Sequence, residues 1–457
     1  MHLGVLILAA GEGTRMRSRL PKVLHPLAGK PLLGHVIETA RSITPDEITI
    51  VYGHGGEQVC NALSAPDLDW VEQAERLGTG HAVMQAIPQL QRVDQVLILY
   101  GDVPLISGST LVSLLAAIHS TDLALLTVDL PDPTGYGRIL RDREDRVIRI
   151  VEQKDASERE LGICEINTGI MAVRRARLEE WLGRLENNNA QKEYYLTDII
   201  EMAVADGVNI HVVHPVCEEE VMGVNDRKQL AHLERYFQRQ KADELMQSGV
   251  TLADPTRIDV RGTLKTGRDV FIDINALIEG DVTLGDGVYV GPNVYIKNST
   301  IEADTQIFAN SVIEDAVIGS ACRIGPFARI RPETRLSDHV HVGNFVEIKK
   351  SQVAARSKIN HLSYIGDSIV GREVNIGAGT ITCNYDGANK HQTVIGDNAF
   401  IGSDTQLVAP VTVAEGATIG AGSTITKDTP PNALTLSRSK QMSISNWQRP
   451  VKKPKDS

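Results

Sequence analysis

Three parts of this chain carry side chains whose types and spacing suit chemistry on phosphates and amines. The first is Gly11-Glu12-Gly13-Thr14-Arg15, followed by Pro21-Lys22. Glycines let the backbone approach an anion and aim several N–H groups at it, and Arg15 and Lys22 add positive charge at fixed distances. The second is Asp102, directly after the apolar run Leu97–Tyr100. A carboxylate there suits a divalent cation held against phosphate oxygens, because Mg2+ favours one or two carboxylates plus substrate phosphates. An isolated Asp after a strand is more often an N-cap or turn residue, and the neighbouring glycine loop is what favours the cation. The third is the set of histidines in the second half, His339, His341, His361 and His391. With a pKa near 6.5, imidazole accepts a proton at neutral pH, as acyl transfer to an amine requires. Position alone does not choose among the four. Cys322 and Cys383 are alternative nucleophiles, disfavoured because Cys322 falls inside a repeat as packing and neither has a matched partner.

These groups need rigid supports. Residues 3–10 form an apolar strand, and Glu47–Tyr52, Gln95–Tyr100 and Leu123–Val128 read as further strands. Helical patterns fill Leu33–Ser42, Gln58–Ser64, His81–Gln91 and Ser109–His119. Such βαβ alternation predicts a mostly parallel sheet with ligands at the carboxyl ends of its strands. Asp226–Ser248 is an amphipathic helix carrying Leu230, Leu233, Phe237 and Leu245, with Gly249 as its C-cap. The expected domains are therefore 1–225, a linker helix 226–249, and 250–457.

The second half reads in sixes. Ile278, Leu284 and Val290 open successive hexads, and the beat returns at Ile318, Ile324, Ile330, Leu336 and Val342, then at Ile365, Val370 and Ile376, and on to Ile425. An aliphatic residue opens each hexad and a small or β-branched one tends to sit fifth. One hexad cannot bury its aliphatic residue alone, but stacked hexads align them into a continuous core, which is the signature of a parallel β-helix. The beat falters at Lys349–Ile359 and Asn384–Val394, and both are expected to be loops that carry binding work. Pro430-Pro431 ends the array before a basic tail.

Composition limits the alternatives. A net charge of −11 argues against general nucleic-acid binding. No stretch reaches about 18 consecutive apolar residues, so no membrane span is expected. Met1–Leu8 lacks the basic region and cleavage site of a signal peptide. Five scattered cysteines without a CxxC pair suggest reduced thiols in a cytoplasmic protein and no metal cluster.

Leu8-Ala9-Ala10-Gly11-x-Gly13-Thr14-Arg15-Met16 with Pro21-Lys22 resembles the signature of sugar-phosphate nucleotidyltransferases. The hexads, with Asn360–Asp367 and Asn375–Gly387, resemble acetyl-CoA-dependent acetyltransferases of the left-handed β-helix class. Together, over essentially the whole chain, they resemble the bacterial bifunctional N-acetylglucosamine-1-phosphate uridyltransferases and glucosamine-1-phosphate acetyltransferases. The resemblance implies a Rossmann-like α/β nucleotidyltransferase domain followed by a left-handed parallel β-helix. Acetyl-CoA would acetylate glucosamine 1-phosphate, and UTP with Mg2+ would then convert the product to UDP-N-acetylglucosamine for cell-wall and lipopolysaccharide assembly. His361 becomes the base of the first step, and Arg15 and Lys22 the catalytic cations of the second. Leu8, Ala9, Ala10, Gly11, Lys22, Gln73, Gly78, Thr79, Tyr100, Gly101, Asp102, Gly137, Glu152, Asn167 and Asn225 would bind the nucleotide and sugar, with Asp102 and Asn225 on the metal. Arg331, Lys349, Tyr364 and Asn375 would hold glucosamine 1-phosphate. Ala378, Asn384, Tyr385, Ser403, Ala421 and Arg438 would line the acetyl-CoA cleft. The family assembles as trimers along the β-helix. A pyrophosphorylase of ADP-glucose type, or a β-helix that only trimerises, are the alternatives, and CoA-dependent turnover would sink both.

Overall fold

The computed structural model describes residues 1–11, 13–53 and 56–452. Glu12 of the glycine loop and the end of the basic tail from Lys453 lie outside them. The chain divides into two compact units, Met1–Gln240 and Lys241–Ser457, each described by itself.

The first unit is built on a nine-stranded sheet. In chain order its strands and a small hairpin are β1 (Leu3–Ala9), β2 (Pro26–Leu27), β3 (Lys30–Pro31), β4 (Glu47–Gly53), β5 (Asp69–Gln73), β6 (Gln95–Tyr100), β7 (Leu123–Asp129), β8 (Arg138–Arg141), β9 (Val147–Val151), β10 (Glu165–Arg174) and β11 (His211–Val213). The helices are α1 (Leu32–Ser42), α2 (Glu57–Leu63), α3 (Thr79–Ala86), α4 (Gly108–Ala117), α5 (Glu158–Leu161), α6 (Arg175–Leu182), α7 (Asp198–Ala205) and α8 (Arg227–Gln247), whose residues from Lys241 belong to the second unit. The sheet runs β11-β7-β10-β6-β1-β4-β5, with β8 and β9 beside β10. β1 is parallel to both β4 and β6, and β10 is antiparallel to β6 and β7. Every residue of β1 is buried, as expected for a continuous apolar run covered on both faces. After β1 the chain moves to β4 and β5 on one side, then returns to β6 on the other. The crevice between β1 and β6 is thus a topological switch point, where such sheets bind ligands.

The expected helices lie within one or two residues of their observed bounds, except one. The helix expected over His81–Gln91 starts at Thr79 and ends at Ala86. Pro88 offers no N–H to continue the ladder, and Gln89 and Leu90 bond only three residues back, to Ala86 O and Ile87 O.

In the second unit two parallel sheets of 11 and 17 short strands climb together, each coil pairing with the next. Successive coils are offset by 17 or 18 residues, as between Asn344 and His361 or Asn275 and Asn293. The hexad-opening residues Ile278, Ile296, Ile313, Ile330, Ile348 and Ile365 stack in one buried column. Removing one such side chain to Ala costs about 2–5 kcal/mol. The fifth positions are buried too, among them Val282, Cys322, Ala328, Thr334 and Ser423. Where polar, they return their hydroxyls to nearby backbone, as Ser423 Oγ donates to Gly420 O at 2.6 Å. Corners take left-handed backbone, often at Asn or Asp, and Asn275, Asn293 and Asn310 form a side-chain ladder there.

The first falter, Lys349–Ile359, is not a loop. Gln352–Val353 and Lys358–His361 pair in register with the coils on both sides. The hexad after Ile348 has lost one residue, so Val353 opens the next strand early and the beat breaks while the coil survives. The second falter is an insertion. Arg372 and Asp397, one coil apart, are 25 residues apart in sequence, and the extra residues form a loop closed by the Tyr385–Lys390 bridge.

Candidate functional site

Each unit gathers residues with chemistry to do. In the first, β1 and β6 end together and deliver the glycine loop and Asp102 to one crevice. Val224 N–H donates to Asp102 O at 2.8 Å, which brings Asn225 alongside. Between them stands Lys22, whose Nζ bonds to Asp102 Oδ2 and reaches Asn225 Oδ1 at 3.1 Å. The glycine at 13 makes this possible. It holds φ +62, and a Cβ on it would lie 2.5 Å from the Lys22 Cβ. One carboxylate and one amide oxygen therefore converge on a cationic group, a donor pair that suits a small hard cation completed by water and phosphate oxygens. Among the described residues no three His, Cys, Asp or Glu side chains are placed to complete a metal cage.

A cavity of about 320 Å3 opens beside this point. Leu8, Ala9, Ala10, Gly11, Lys22, Gln73, Gly78, Thr79, Tyr100 and Asp102 all line it. Gly101 packs behind, where a Cβ would press on Leu33 and Ala9. The Gly78-Thr79 turn has a structural reason: Gly78 holds φ +104 and a Cβ there would lie 2.6 Å from Tyr194 O. Thr79 Oγ1 accepts from Leu196 N–H at 3.2 Å, which ties the loop before α7 to the cavity.

Gly137, Glu152 and Asn167 form a second cluster on the β8–β10 side. Asn167 N–H donates to Gly137 O at 2.9 Å, and a Cβ on Gly137 would lie 3.4 Å from Glu152 Oε1. Burial pushes the Glu152 carboxyl up, while the Thr197 hydroxyl, donating at 3.1 Å, pulls it back. Tyr100 links this cluster to the cavity; burial first, then Glu152 and Asp102, raise its hydroxyl above the ordinary range. Arg15 is exposed in the turn Thr14–Met16, outside the lining of this cavity.

Gly169 holds φ +83, and a Cβ there would lie 2.4 Å from the Tyr100 ring. Gly169→Ala is expected to displace that ring from the cavity, and a strained left-handed Ala to cost about 1–3 kcal/mol of stability, as a lowered melting temperature would record.

Asp198 opens α7 half-buried beside Glu152. Burial, then Glu152, pushes its carboxyl from 3.8 up to about 6. Its folded value lies above its unfolded one, so the folded chain loses stability as pH rises from about 4 to 6, and the loss is complete above 6. Asp198→Asn is therefore expected to raise the first unit's melting temperature at pH 8, with the gain gone by pH 4, as calorimetry across that range would record.

In the second unit the His361 Nδ1–H donates to Asn344 Oδ1 at 2.9 Å, one coil below. An amide oxygen only accepts, so this bond leaves Nε2 with its lone pair free to take a proton. On the adjoining ladder Glu347 and Tyr364 stack in register, and Arg331 Nη1 meets Glu347 Oε1 at 2.7 Å. The Lys349 ammonium beside Lys390 lowers the latter's affinity for its proton. Asn384 Nδ2 donates to Asp367 Oδ2 at 2.5 Å and approaches the Tyr364 hydroxyl at 3.5 Å.

Ala378, Ser403 and Ala421 belong to one corner column. Asp404 N–H bonds to Ala378 O and Gly422 N–H to Ser403 O, and Arg438 Nη1 donates to Ala421 O at 2.9 Å. Glycines at 377 and 402 keep the column flat, since a Cβ on either would strike the next coil's backbone at 2.5 Å. Tyr385 is exposed on the insertion loop, its hydroxyl on Gly387 O. Asn375 is not gathered with Tyr364. It pairs with Lys358 in the other sheet and lines a depression with His339, His341 and Arg356. Cys322 is buried packing, and burial pushes its thiol up to about 11.

Sequence reading missed Asn344, Glu347, Asp367 and Lys390. The first three were within reach, since residues one coil apart stack, and 17 residues separate Asn344 from His361 and Asp367 from Asn384.

Comparison with known proteins now decides the family. Bifunctional protein GlmU of Nitrosospira multiformis is 62% identical over 99% of this chain and 99% of its own length. Bifunctional protein GlmU of Azoarcus sp. is 60% identical over 98% of this chain and 99% of its own length. The chain belongs to the GlmU family.

Family models agree unit by unit. Residues 5–193 match the MobA-like NTP transferase domain, 260–343 the GMPPB C-terminal domain, and 392–427 the bacterial transferase hexapeptide repeats. A solved structure of HddC from Yersinia pseudotuberculosis complexed with GMP-PN aligns with 52% of this chain and 100% of its own, at 18% identity and a TM-score of 0.39. As a member of the GlmU family the chain is a bifunctional enzyme of UDP-N-acetylglucosamine synthesis, with acetyltransferase and uridyltransferase activities. Nucleotide and acetyl-CoA substrates fit the family and its nucleotidyltransferase domain. No helix among the described residues is long and apolar enough to cross a membrane.

Proposed function

We propose that the two activities are divided at residues 225 and 250: uridylyl transfer by residues 1–225, a linker helix over 226–249, and acetyl transfer by residues 250–457. The observation that carries this is the pairing of a Lys22–Asp102–Asn225 cluster in one unit with a His361–Asn344 base in the other.

In the acetyl step Arg331, Lys349, Tyr364 and Asn375 hold glucosamine 1-phosphate, and Ala378, Asn384, Tyr385, Ser403, Ala421 and Arg438 hold acetyl-CoA. His361 Nε2 takes a proton from the amine as its nitrogen attacks the thioester carbonyl. The C–N bond forms, the C–S bond breaks, and the thiolate leaves as CoA. Asn375 lies on a different ladder from Tyr364, which supports a sugar site shared between copies, in keeping with a homotrimer built along the β-helix.

In the uridylyl step the UTP base lies over Gln73, Gly78 and Thr79, and its phosphates on the Gly11–Lys22 loop. Gly137, Glu152 and Asn167 orient N-acetylglucosamine 1-phosphate, whose phosphate oxygen attacks the α-phosphorus while the bond to the β-phosphate breaks. Arg15 and Lys22 neutralise the charge that gathers on the leaving pyrophosphate. Mg2+, held by Asp102 and Asn225, supplies further neutralisation of phosphate charge when bound. Lys22 then turns from Asp102 to phosphate. The enzyme works in the cytoplasm, on small molecules and not on nucleic acid.

Mixing the variants His361→Ala and Asp102→Ala tests the division of labour. The mixture is expected to make UDP-N-acetylglucosamine from glucosamine 1-phosphate although neither variant does alone. Product from either variant alone would show that its site lies elsewhere.

A further inference from the structure

The insertion loop of the second unit carries two titratable side chains that the acetyl step does not use, Asp386 and His391. The loop is a short hairpin. Its ladder is one antiparallel bridge, Tyr385–Lys390. Asp386 N–H donates to Asn389 O at 3.2 Å across the tip, and His391 N–H donates to Asn384 O at 2.8 Å across the stem. An isolated two-stranded hairpin is marginally stable in water, so so short a ladder needs other bonds. The Asp386 side chain supplies three of them. Its Oδ1 accepts from Ala388 N–H at 2.8 Å and Asn389 N–H at 2.7 Å, and its Oδ2 accepts from His391 Nε2–H at 2.7 Å. One carboxylate thus closes the tip and ties it to the returning strand. The Tyr385 hydroxyl donates to Gly387 O at 2.6 Å, which fastens that side chain to the same tip.

The stem is anchored on the coils. Asn384 is buried, and its Nδ2 donates to Asp367 Oδ2 at 2.5 Å, while Thr393 N–H donates to Asp367 O at 3.3 Å. A like charge opposes this closure. Lys390 lies beside Lys349, and two ammonium groups repel at such range. The hairpin is therefore held down against a repulsion, and the Asp386–His391 bond is the side-chain link that spans it. A loop already in its bound form spares a ligand the cost of ordering it. We propose that Asp386 and His391 are positioning residues for acetyl-CoA, latching the insertion loop so that Asn384 and Tyr385 are in place before it binds. His391 then has a task distinct from that of the base, His361. The proposal rests on the acetyl-CoA reading of Asn384 and Tyr385.

Acetyl transfer by the full chain, with glucosamine 1-phosphate saturating and acetyl-CoA varied, tests it. In Asp386→Ala, KM for acetyl-CoA is expected to rise about tenfold, the scale of ordering a few side chains on binding, with kcat within about twofold of wild type. Titration calorimetry with CoA alone is expected to show the same weakening without turnover. Asp386→Asn keeps an oxygen for the Ala388 and Asn389 N–H groups and is expected to recover most of the affinity. His391→Ala keeps the carboxylate and is expected to raise KM about threefold, the scale of an exposed pair. Residues 385–392 contribute nothing to the buried aliphatic column, so the melting temperature of the second unit is expected to stay at the wild-type value in all three variants. A loss of kcat in His391→Ala as large as in His361→Ala overturns the positioning role. Tyr385→Ala and Asn384→Ala separate the latch from the reading beneath it. If they raise KM for acetyl-CoA while folded Asp386→Ala leaves it at wild type, the latch is wrong and the acetyl-CoA reading stands. If neither raises it, the acetyl-CoA reading fails and the latch fails with it.

Discussion

Replacing His361 with alanine is expected to lower acetyl transfer by about 10²–10⁴-fold, the usual worth of a positioned general base, and to leave uridylyl transfer from supplied N-acetylglucosamine 1-phosphate unchanged. The side chain is exposed and makes one side-chain hydrogen bond, to Asn344, so its loss leaves no cavity and no unpaired buried group. The effect therefore belongs to chemistry and not to folding. Asn344→Ala provides the graded control. Without the amide oxygen that accepts from Nδ1–H, the ring loses its fixed tautomer, and activity is expected to fall about tenfold, less than with His361 removed. A full acetyl-transfer rate in His361→Ala would return the choice of base to His339, His341 or His391. Of these, His391 already has a partner, with Nε2 2.7 Å from Asp386 Oδ2.

The second large effect is expected at Asp102. Asp102→Ala removes the carboxylate on which Lys22 and the proposed Mg2+ site both depend, and uridylyl transfer is expected to drop by about 10³-fold or more with acetyl transfer intact. N-acetylglucosamine 1-phosphate would then accumulate. Asp102 is also a structural residue, since its carbonyl accepts from Val224 N–H. That bond is made by the backbone and survives the substitution, so Asn225 stays in place. Lys22→Ala should fail differently. It removes a cation that serves the triphosphate but leaves the Asp102–Asn225 oxygen pair, so part of the loss should return with raised Mg2+, whereas the Asp102→Ala loss should not.

These residues were legible in sequence to very different degrees. The β-helix could be read because each coil must bury its own aliphatic residues, so the core is written into the chain at a short, fixed period. Where one residue is missing, after Ile348, the same period misled: the strand bond to the next coil persists and only the beat is lost. The glycine loop and Asp102 were visible because strand ends in a parallel sheet put chemistry next to apolar runs. Arrangements across long separations were not. Lys22 meets Asp102 across 80 residues and Asn225 across 203. Asn344 falls between these cases, since a neighbour one coil away can be found by counting once the coil length is known. Pro88 was in plain view and should have shortened the helix expected over His81–Gln91.

One reaction tests the central claim most directly. Purified chain, glucosamine 1-phosphate, acetyl-CoA, UTP and Mg2+ are mixed, and CoA, pyrophosphate and sugar products are followed together by mass, for wild type, His361→Ala and Asp102→Ala. The account predicts UDP-N-acetylglucosamine from wild type, unreacted glucosamine 1-phosphate from His361→Ala, and N-acetylglucosamine 1-phosphate with free CoA but no pyrophosphate from Asp102→Ala. CoA release by His361→Ala at the wild-type rate, or pyrophosphate release by Asp102→Ala at the wild-type rate, would contradict it.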